Sequence, residues 1–159
     1  MNEEALKAQV TSLLNTCNVM SLATVSDNAP WAAAVFFAAD SEFRMYFISG
    51  ETSRHSLNIK SNTSAAATVN KDHDDWLTIA GLQVEGEVSI VGMDKRSEVL
   101  ELYLKKFPNI ARLSKNPNNM QEKKIADRIV TSTLYQLTPS LVKIIDNTQG
   151  FGKKFELTF

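Results

Sequence analysis

Phe43-Arg44-Met45-Tyr46-Phe47-Ile48-Ser49-Gly50-Glu51-Thr52-Ser53-Arg54-His55 is the stretch that decides the fold. Its first seven residues form a short apolar and aromatic run, the composition of a half-buried strand. Gly50-Glu51-Thr52-Ser53 then supplies a flexible turn and an N-cap hydroxyl ahead of Arg54 to Lys60, a segment long enough for about two helical turns. In Thr52-Ser53-Arg54-His55, two hydroxyls, the free N–H groups of a helix start and a guanidinium fork can converge on one phosphate. A capped surface helix with a solvated Arg54 accounts for the same residues.

Backwards from this stretch lie two more runs of strand formers, Trp31 to Ala39 and Val19 to Val25. Ser26-Asp27-Asn28-Ala29-Pro30 and Asp40-Ser41-Glu42 separate the three runs with connections of hairpin length, which predicts an antiparallel meander. Before it, Leu6, Val10, Leu13 and Leu14 recur within Glu3 to Asn15 at the spacing of an amphipathic helix. Forwards, Ala65 to Asn70 and Leu77 to Val91 resume strand character, with Gly81 and Gly86 placed where a long strand can bend. Asp94 to Phe107 carries Val99, Leu100, Tyr103, Leu104 and Phe107 at helical spacing, and Pro108 closes it. Asn109 to Lys124 is polar and Asn-rich and is expected to be a surface excursion with one helical turn. Ile129 to Leu137, Leu141 to Ile145 and Phe155 to Phe159 complete about seven strands. Without βαβ alternation, these predict a mainly β protein, a closed antiparallel β-barrel with added helices, as one domain over residues 1–159.

Composition narrows the function. Lys plus Arg is 17 and Asp plus Glu is 18, a formal net charge of −1 that offers no general attraction to phosphate backbones, so no nucleic acid partner is expected. Trp31 to Ala39 is the longest near-continuous apolar run, nine residues against the ~20 of a spanning helix, so no membrane partner is expected either. The start Met1-Asn2-Glu3-Glu4 lacks the basic opening of a secretory signal, and a cytoplasmic protein is expected. The single Cys17 permits no intramolecular disulfide and is expected in the core.

Other motifs carry less. Asp72-His73-Asp74-Asp75 holds ligand-type residues, but consecutive side chains cannot all face one ion, so a solvated loop and no metal are expected. Gly150-Phe151-Gly152-Lys153-Lys154 fails the nucleotide phosphate-loop pattern at Asn147 and Lys154 and is either a turn into the last strand or a ligand-facing loop. His55 can serve as a base or ligand, yet the sequence identifies no catalytic partner for it.

Phe43 to His55 and Ala80 to Val88 together resemble pyridoxamine 5′-phosphate oxidase and the wider group of FMN-binding split barrels of Greek-key type. The family's Ser-Arg-Lys phosphate segment stands here as Ser53-Arg54-His55, with His in place of Lys. Ile48-Ser49 stands where the family has an aromatic and a Thr that contact the flavin. In Gly81-Leu82-Gln83-Val84-Glu85-Gly86, aligning Glu85-Gly86 puts Gln83 two residues after the family's flavin-contacting Gln, on the same strand face. Asp146 to Lys154, Thr52 to His55 and Phe107-Pro108 are similar to a YhbP-like bacterial branch. The oxidase's C-terminal Trp and Arg elements have no counterpart here, which argues against vitamin B6 oxidation.

The resemblance implies a split-barrel homodimer with FMN in the cleft between subunits and a small-molecule substrate. Thr52, Ser53 and Arg54 would hold the phosphate beside His55. Val35, Phe36, Ile48, Ser49 and Gln83 would border the ring, and Asn147 and Lys153 would face the substrate. The expected activity is a flavin-dependent oxidoreductase passing hydride or electrons from a reductant to a small acceptor. The alternatives are a flavin- or haem-binding module without turnover, with His55 or His73 as haem ligand, and a cofactor-free dimer.

Overall fold

A computed structural model describes residues 2–159. The first helix, α1 (Glu3–Thr16), starts at Asn2, whose side-chain oxygen accepts from the Ala5 amide at 2.9 Å. It buries the anticipated stripe of Leu6, Val10, Leu13 and Leu14 in the same core cluster as the barrel interior, and Cys17 lies there too. Each such aliphatic side chain contributes roughly 1.5–3 kcal/mol when fully buried.

The next strands, β1 (Val19–Ser26) and β2 (Ala29–Ala39), form a hairpin on a two-residue turn. Asp27 and Asn28 both take positive φ there, 50° and 60°, which matches the right-handed twist of the flanking strands. The turn is therefore shorter than anticipated, and Ala29 and Pro30 are already paired with Ser26 and Val25. The third strand, β3 (Met45–Ser49), completes the meander. The Asp40 carboxylate organises its entry, accepting from the Glu42 and Arg44 amides, from Arg44 Nε at 2.6 Å and from the Tyr46 hydroxyl at 2.8 Å. Helix α2 (Arg54–Ser61) leads to β4 (Ser64–Asn70), and a 3₁₀ turn at Trp76–Thr78 precedes β5 (Ala80–Ile90).

Three expectations fail in the C-terminal half. Helix α3 (Met93–Lys106) does stop before Pro108, but Pro108 opens a further helix, α4 (Pro108–Lys115), where a missing N–H costs nothing. The expected excursion instead contains nearly all of α4 and the opening turn of a further helix, α5 (Met120–Thr131). Asn119 starts α5 by accepting from the Glu122 amide at 2.9 Å, while the Glu122 carboxylate accepts from the Asn118 amide at 2.7 Å. Ile129 to Thr131, expected as strand, thus end a helix whose packing outweighs their β-branched preference. Finally, the two strands expected on either side of Pro139 are one, β6 (Thr133–Asp146). Its pairing with β5 shifts register at Glu85/Gly86, leaving Ser140 as the extra residue, its hydroxyl donating to the Glu85 carbonyl at 3.1 Å. The chain ends in β7 (Lys154–Thr158).

The strand order β3-β2-β1-β4-β5-β6-β7, with β3 also paired to β6, makes a closed six-strand antiparallel barrel carrying β7. One edge of β6 takes β5 along most of its length; the other takes β3 on residues 133–137 and β7 on residues 141–145. Closure leaves β3 without a free edge and fixes Ser49 opposite Thr133. Across the outer surface, Ala34, Ser21, Thr68 and Gln83 form one register row over β2, β1, β4 and β5, and Ala32, Ala23, Ala66 and Glu85 form the next. Over β2, β1 and β4 these two rows carry small side chains. Among the described residues, no helix is long and apolar enough to cross a membrane.

Candidate functional site

A cleft of about 740 Å³ opens where β2, β3 and the start of α2 meet α3 and α5. The sequence at β3–α2 builds its polar end. Ser49 ends the strand, Gly50 accepts from the Ser53 amide at 3.1 Å, and Ser53 caps α2. The amides of Arg54 and His55 then open the helix with no preceding carbonyl to bond within it. One buried and one exposed contact hold α2 on β1. Asn58 Nδ2 donates to Thr24 Oγ1 at 3.0 Å, and the hydroxyls of Ser61 and Ser26 lie 3.1 Å apart.

His55 finds in space the partners that it lacked in sequence. Its Nε2 lies 2.7 Å from Ser49 Oγ and 3.1 Å from Ser53 Oγ, and Ser53 donates onward to Ser56 Oγ at 2.8 Å. Burial pushes the imidazole pKa down, so the ring is neutral at neutral pH and exchanges hydrogen bonds with hydroxyls. The cluster has no carboxylate behind the imidazole, so it lacks the third member of a nucleophilic triad.

The rest of the cleft is apolar with a cationic rim. Val35, Phe36 and Ile48 come from the strands, Tyr103 from α3, and Ile125 and Ile129 from α5. Phe36 is 52% exposed although its edge packs on Phe107, with ring centroids 5.5 Å apart and planes at 88°. Burial raises the Tyr103 phenol to about 12, so it stays protonated. Gln121, Lys124 and Arg128 of α5 complete the lining, and no Asp or Glu belongs to it.

The expected site residues are thus divided. Val35, Phe36, Ile48, Ser49, Thr52, Ser53 and His55 line one cleft. Arg54 is adjacent but lies over the Trp31 ring, its Cζ 4.8 Å from the centroid. Gln83 sits on the outer face of β5 in a shallow depression of about 200 Å³, with Glu85 and Lys143. Asn147 is engaged within its own chain: Nδ2 donates to the Trp76 carbonyl at 2.6 Å, and Oδ1 accepts from the Gly152 amide at 3.2 Å. It ties the 3₁₀ turn at Asn147–Gln149 to the one at Trp76–Thr78, and Lys153 is exposed on the same loop. His73 lies outside the cleft lining, and among the described residues no cluster of His, Cys, Asp and Glu could hold a metal.

Missing from the expectations were Tyr103, Gln121, Lys124 and Arg128. The α5 residues were legible: Asn119 and Glu122 have the three-residue spacing of a capping box, and Gln121, Lys124, Ile125, Arg128 and Ile129 follow at helical spacing.

The sequence profile of the pyridoxamine 5′-phosphate oxidase family matches residues 6–143. The chain belongs to this family. A UPF0306 protein of Klebsiella pneumoniae is 27% identical over 142 residues, covering 89% of this chain and 85% of that protein. Among solved structures of the same fold, the General Stress Protein 26 of Bacillus anthracis superposes with a TM-score of 0.65 at 18% identity, over 97% of this chain and 98% of that one. A heme binding protein from Mycobacterium smegmatis has a TM-score of 0.70 at 16% identity, over 96% of this chain and 57% of that one. These two likenesses establish the shared barrel.

Proposed function

We propose that this family member binds FMN in the β2–β3–α2 cleft and acts as an oxidoreductase on a small acceptor. The observation that carries this reading is the division of the cleft into a hydroxyl and amide end at Ser49, Thr52 and Ser53 and an apolar wall at Val35, Phe36 and Ile48, with no carboxylate in the lining. A phosphate suits the first and a ring suits the second. Bound FMN would supply hydride or single-electron transfer; the protein supplies position and electrostatics.

A second copy completes the reading. The small side chains of Ala32, Ala34, Ser21, Ala23, Ala66 and Thr68 on one face suit isologous packing of two such sheets. Gln83 lies three strands from Ala34 in one register row, roughly 14 Å at ~4.8 Å per strand. A dyad parallel to the strands, near Ser21 and Thr68, would carry the partner's outer row towards this cleft.

The second reading is a binding module without turnover, for flavin or for haem. The haem-binding relative of the same fold and the placement of His55 in the cleft support it. The absorption spectrum of the purified protein, before and after adding FMN and removing the excess, separates the readings. Bands near roughly 375 and 450 nm support flavin, a Soret band supports haem, and absence of both after FMN addition overturns the flavin reading. Consumption of NADH or NADPH by the FMN-loaded protein then distinguishes enzyme from module.

A further inference from the structure

The turn from Gly150 to Lys154 takes no part in lining the cleft, yet it displays an aromatic side chain. Phe151 is 70% exposed and lies beside Trp76, itself 72% exposed, with ring centroids 6.5 Å apart and planes at 29°. Asn147 ties the two turns together through the Trp76 carbonyl and the Gly152 amide, and its own amide donates to the Ile79 carbonyl at 2.9 Å. Gly150 and Gly152 take φ of 129° and 74° on either side of Phe151, a backbone that favours glycine. A tied loop thus presents two rings to water. With Leu77, also exposed, they form an apolar patch of roughly 300 Å² or more, the size of a contact surface.

Strand register sets the level of this patch. On the outer face the exposed Phe36 pairs with the exposed Val19. Ser21 pairs with Thr68, so Val19 and Asn70, each two residues on, stand at one level, which Gly81 and Ile145 continue across β5 and β6. Both aromatic turns rise just beyond that level, since Trp76–Thr78 precedes Ala80 and Asn147–Gln149 follows Asp146. A dyad parallel to the strands near Ser21 and Thr68 keeps every level and exchanges β2 with β5. It therefore sets the partner's Trp76 and the partner's Phe151 beyond Phe36, at the end of the cleft where Phe107 closes α3. The charges agree. Asp72 and Asp74 precede Trp76, the cleft lining has Lys124 and Arg128 without a carboxylate, and none of these four joins an ion pair among the described residues.

We propose that the Trp76–Phe151 pair of each subunit packs over the mouth of the other subunit's cleft at Phe36, giving that cleft a second aromatic wall which admits a flat ring and excludes water. The inference rests on the two-copy reading above, and its test is read without a ligand. Trp31→Phe leaves Trp76 as the single tryptophan. Its emission maximum and acrylamide quenching are measured over a dilution series whose association state is followed by sedimentation velocity. Phe36→Ala is added to this background and measured where the variant is dimeric. Trp76→Ala, Phe151→Ala and the exposed control Met93→Ala, at the start of α3, are compared for dimer affinity.

The expected result is a dimer in which Trp76 emits to the blue of N-acetyltryptophanamide and is quenched several-fold more weakly, although the ring is largely exposed in a single chain. Phe36→Ala should return most of the quenching. That effect points across the subunit boundary, because within one chain Phe36 packs on Phe107 and Trp76 lies beside Phe151. Trp76→Ala and Phe151→Ala should each weaken the dimer about 10-fold, the cost typical of truncating an aromatic anchor, and Met93→Ala should not. A dimer whose Trp76 is quenched like the free indole, or is equally protected with and without Phe36, overturns this inference and leaves the two-copy reading standing. A monomer at every concentration overturns both. Protection of Trp76 in a protein that binds no flavin supports the contact and removes the flavin reading alone.

Discussion

His55 Nε2 lies 2.7 Å from the hydroxyl of Ser49, joining the first turn of α2 to the last residue of β3 across a turn of four residues. Neither residue is fixed by local propensity alone. Their meeting depends on where β3 ends in the barrel and on the angle at which α2 leaves it.

The burial of His55 gives stability a pH dependence. Burial lowers the folded pKa of His55 below its ordinary value of 6.5, so between the two the unfolded chain binds more protons. The contribution is intact above pH 6.5 and is lost as pH falls through the folded pKa. Urea midpoints of wild type should therefore fall more steeply below pH 6.5 than those of His55→Gln; identical profiles would remove His55 as the titrating group.

Arg54→Ala should cost about 0.5–1 kcal/mol of stability, the value of an exposed cation–π contact, and should shift Trp31 emission. On the flavin reading it should also weaken FMN binding about 10-fold or more, the value of a charge-assisted hydrogen bond. Unchanged FMN affinity in the folded variant would remove Arg54 from the proposed phosphate site.

Asn58→Ala removes the donor that faces Thr24 Oγ1 in a site where both residues are buried. An unpaired buried polar group costs about 1–3 kcal/mol, and the loss should be relieved in the Asn58→Ala, Thr24→Val double variant. Chemical denaturation of the four proteins in the cycle measures it.

Gly86→Ala should destabilise the barrel by about 1–3 kcal/mol or more. A Cβ there would run into the Thr138 carbonyl oxygen and the backbone of Pro139, neither of which can move without undoing the β5–β6 register. A midpoint equal to wild type would mean that the bulge is not rigid.

Tyr135 stacks on Phe47, with centroids 5.1 Å apart and planes at 14°, and its buried hydroxyl has no hydrogen-bond partner among the described residues. Tyr135→Phe keeps the ring and removes the orphaned group, so it should be neutral or stabilising by about 1 kcal/mol. A clear loss in thermal midpoint would show that the hydroxyl is satisfied in solution.

The sequence by itself determined the elements whose signals are local. Leu6, Val10, Leu13 and Leu14 specify α1 because a 3.6-residue period needs no distant partner to be recognised, and Phe43 to His55 specifies strand, turn and helix start through burial pattern and capping chemistry. Seven of the anticipated flavin-site positions accordingly share one cleft. Where local preference and packing disagree, packing prevailed: Ile129 to Thr131 favour strand but end α5, and Pro139 suggests a break but sits beside the bulge within β6. Only the tertiary structure decided that β3 closes onto β6, which brings the end of α5 beside Ser49 and Arg128 into the cleft, and that Gln83 lies three strands away on the outer face. These are long-range relations set by register and closure, and residues far apart in the chain carry no local signal of either.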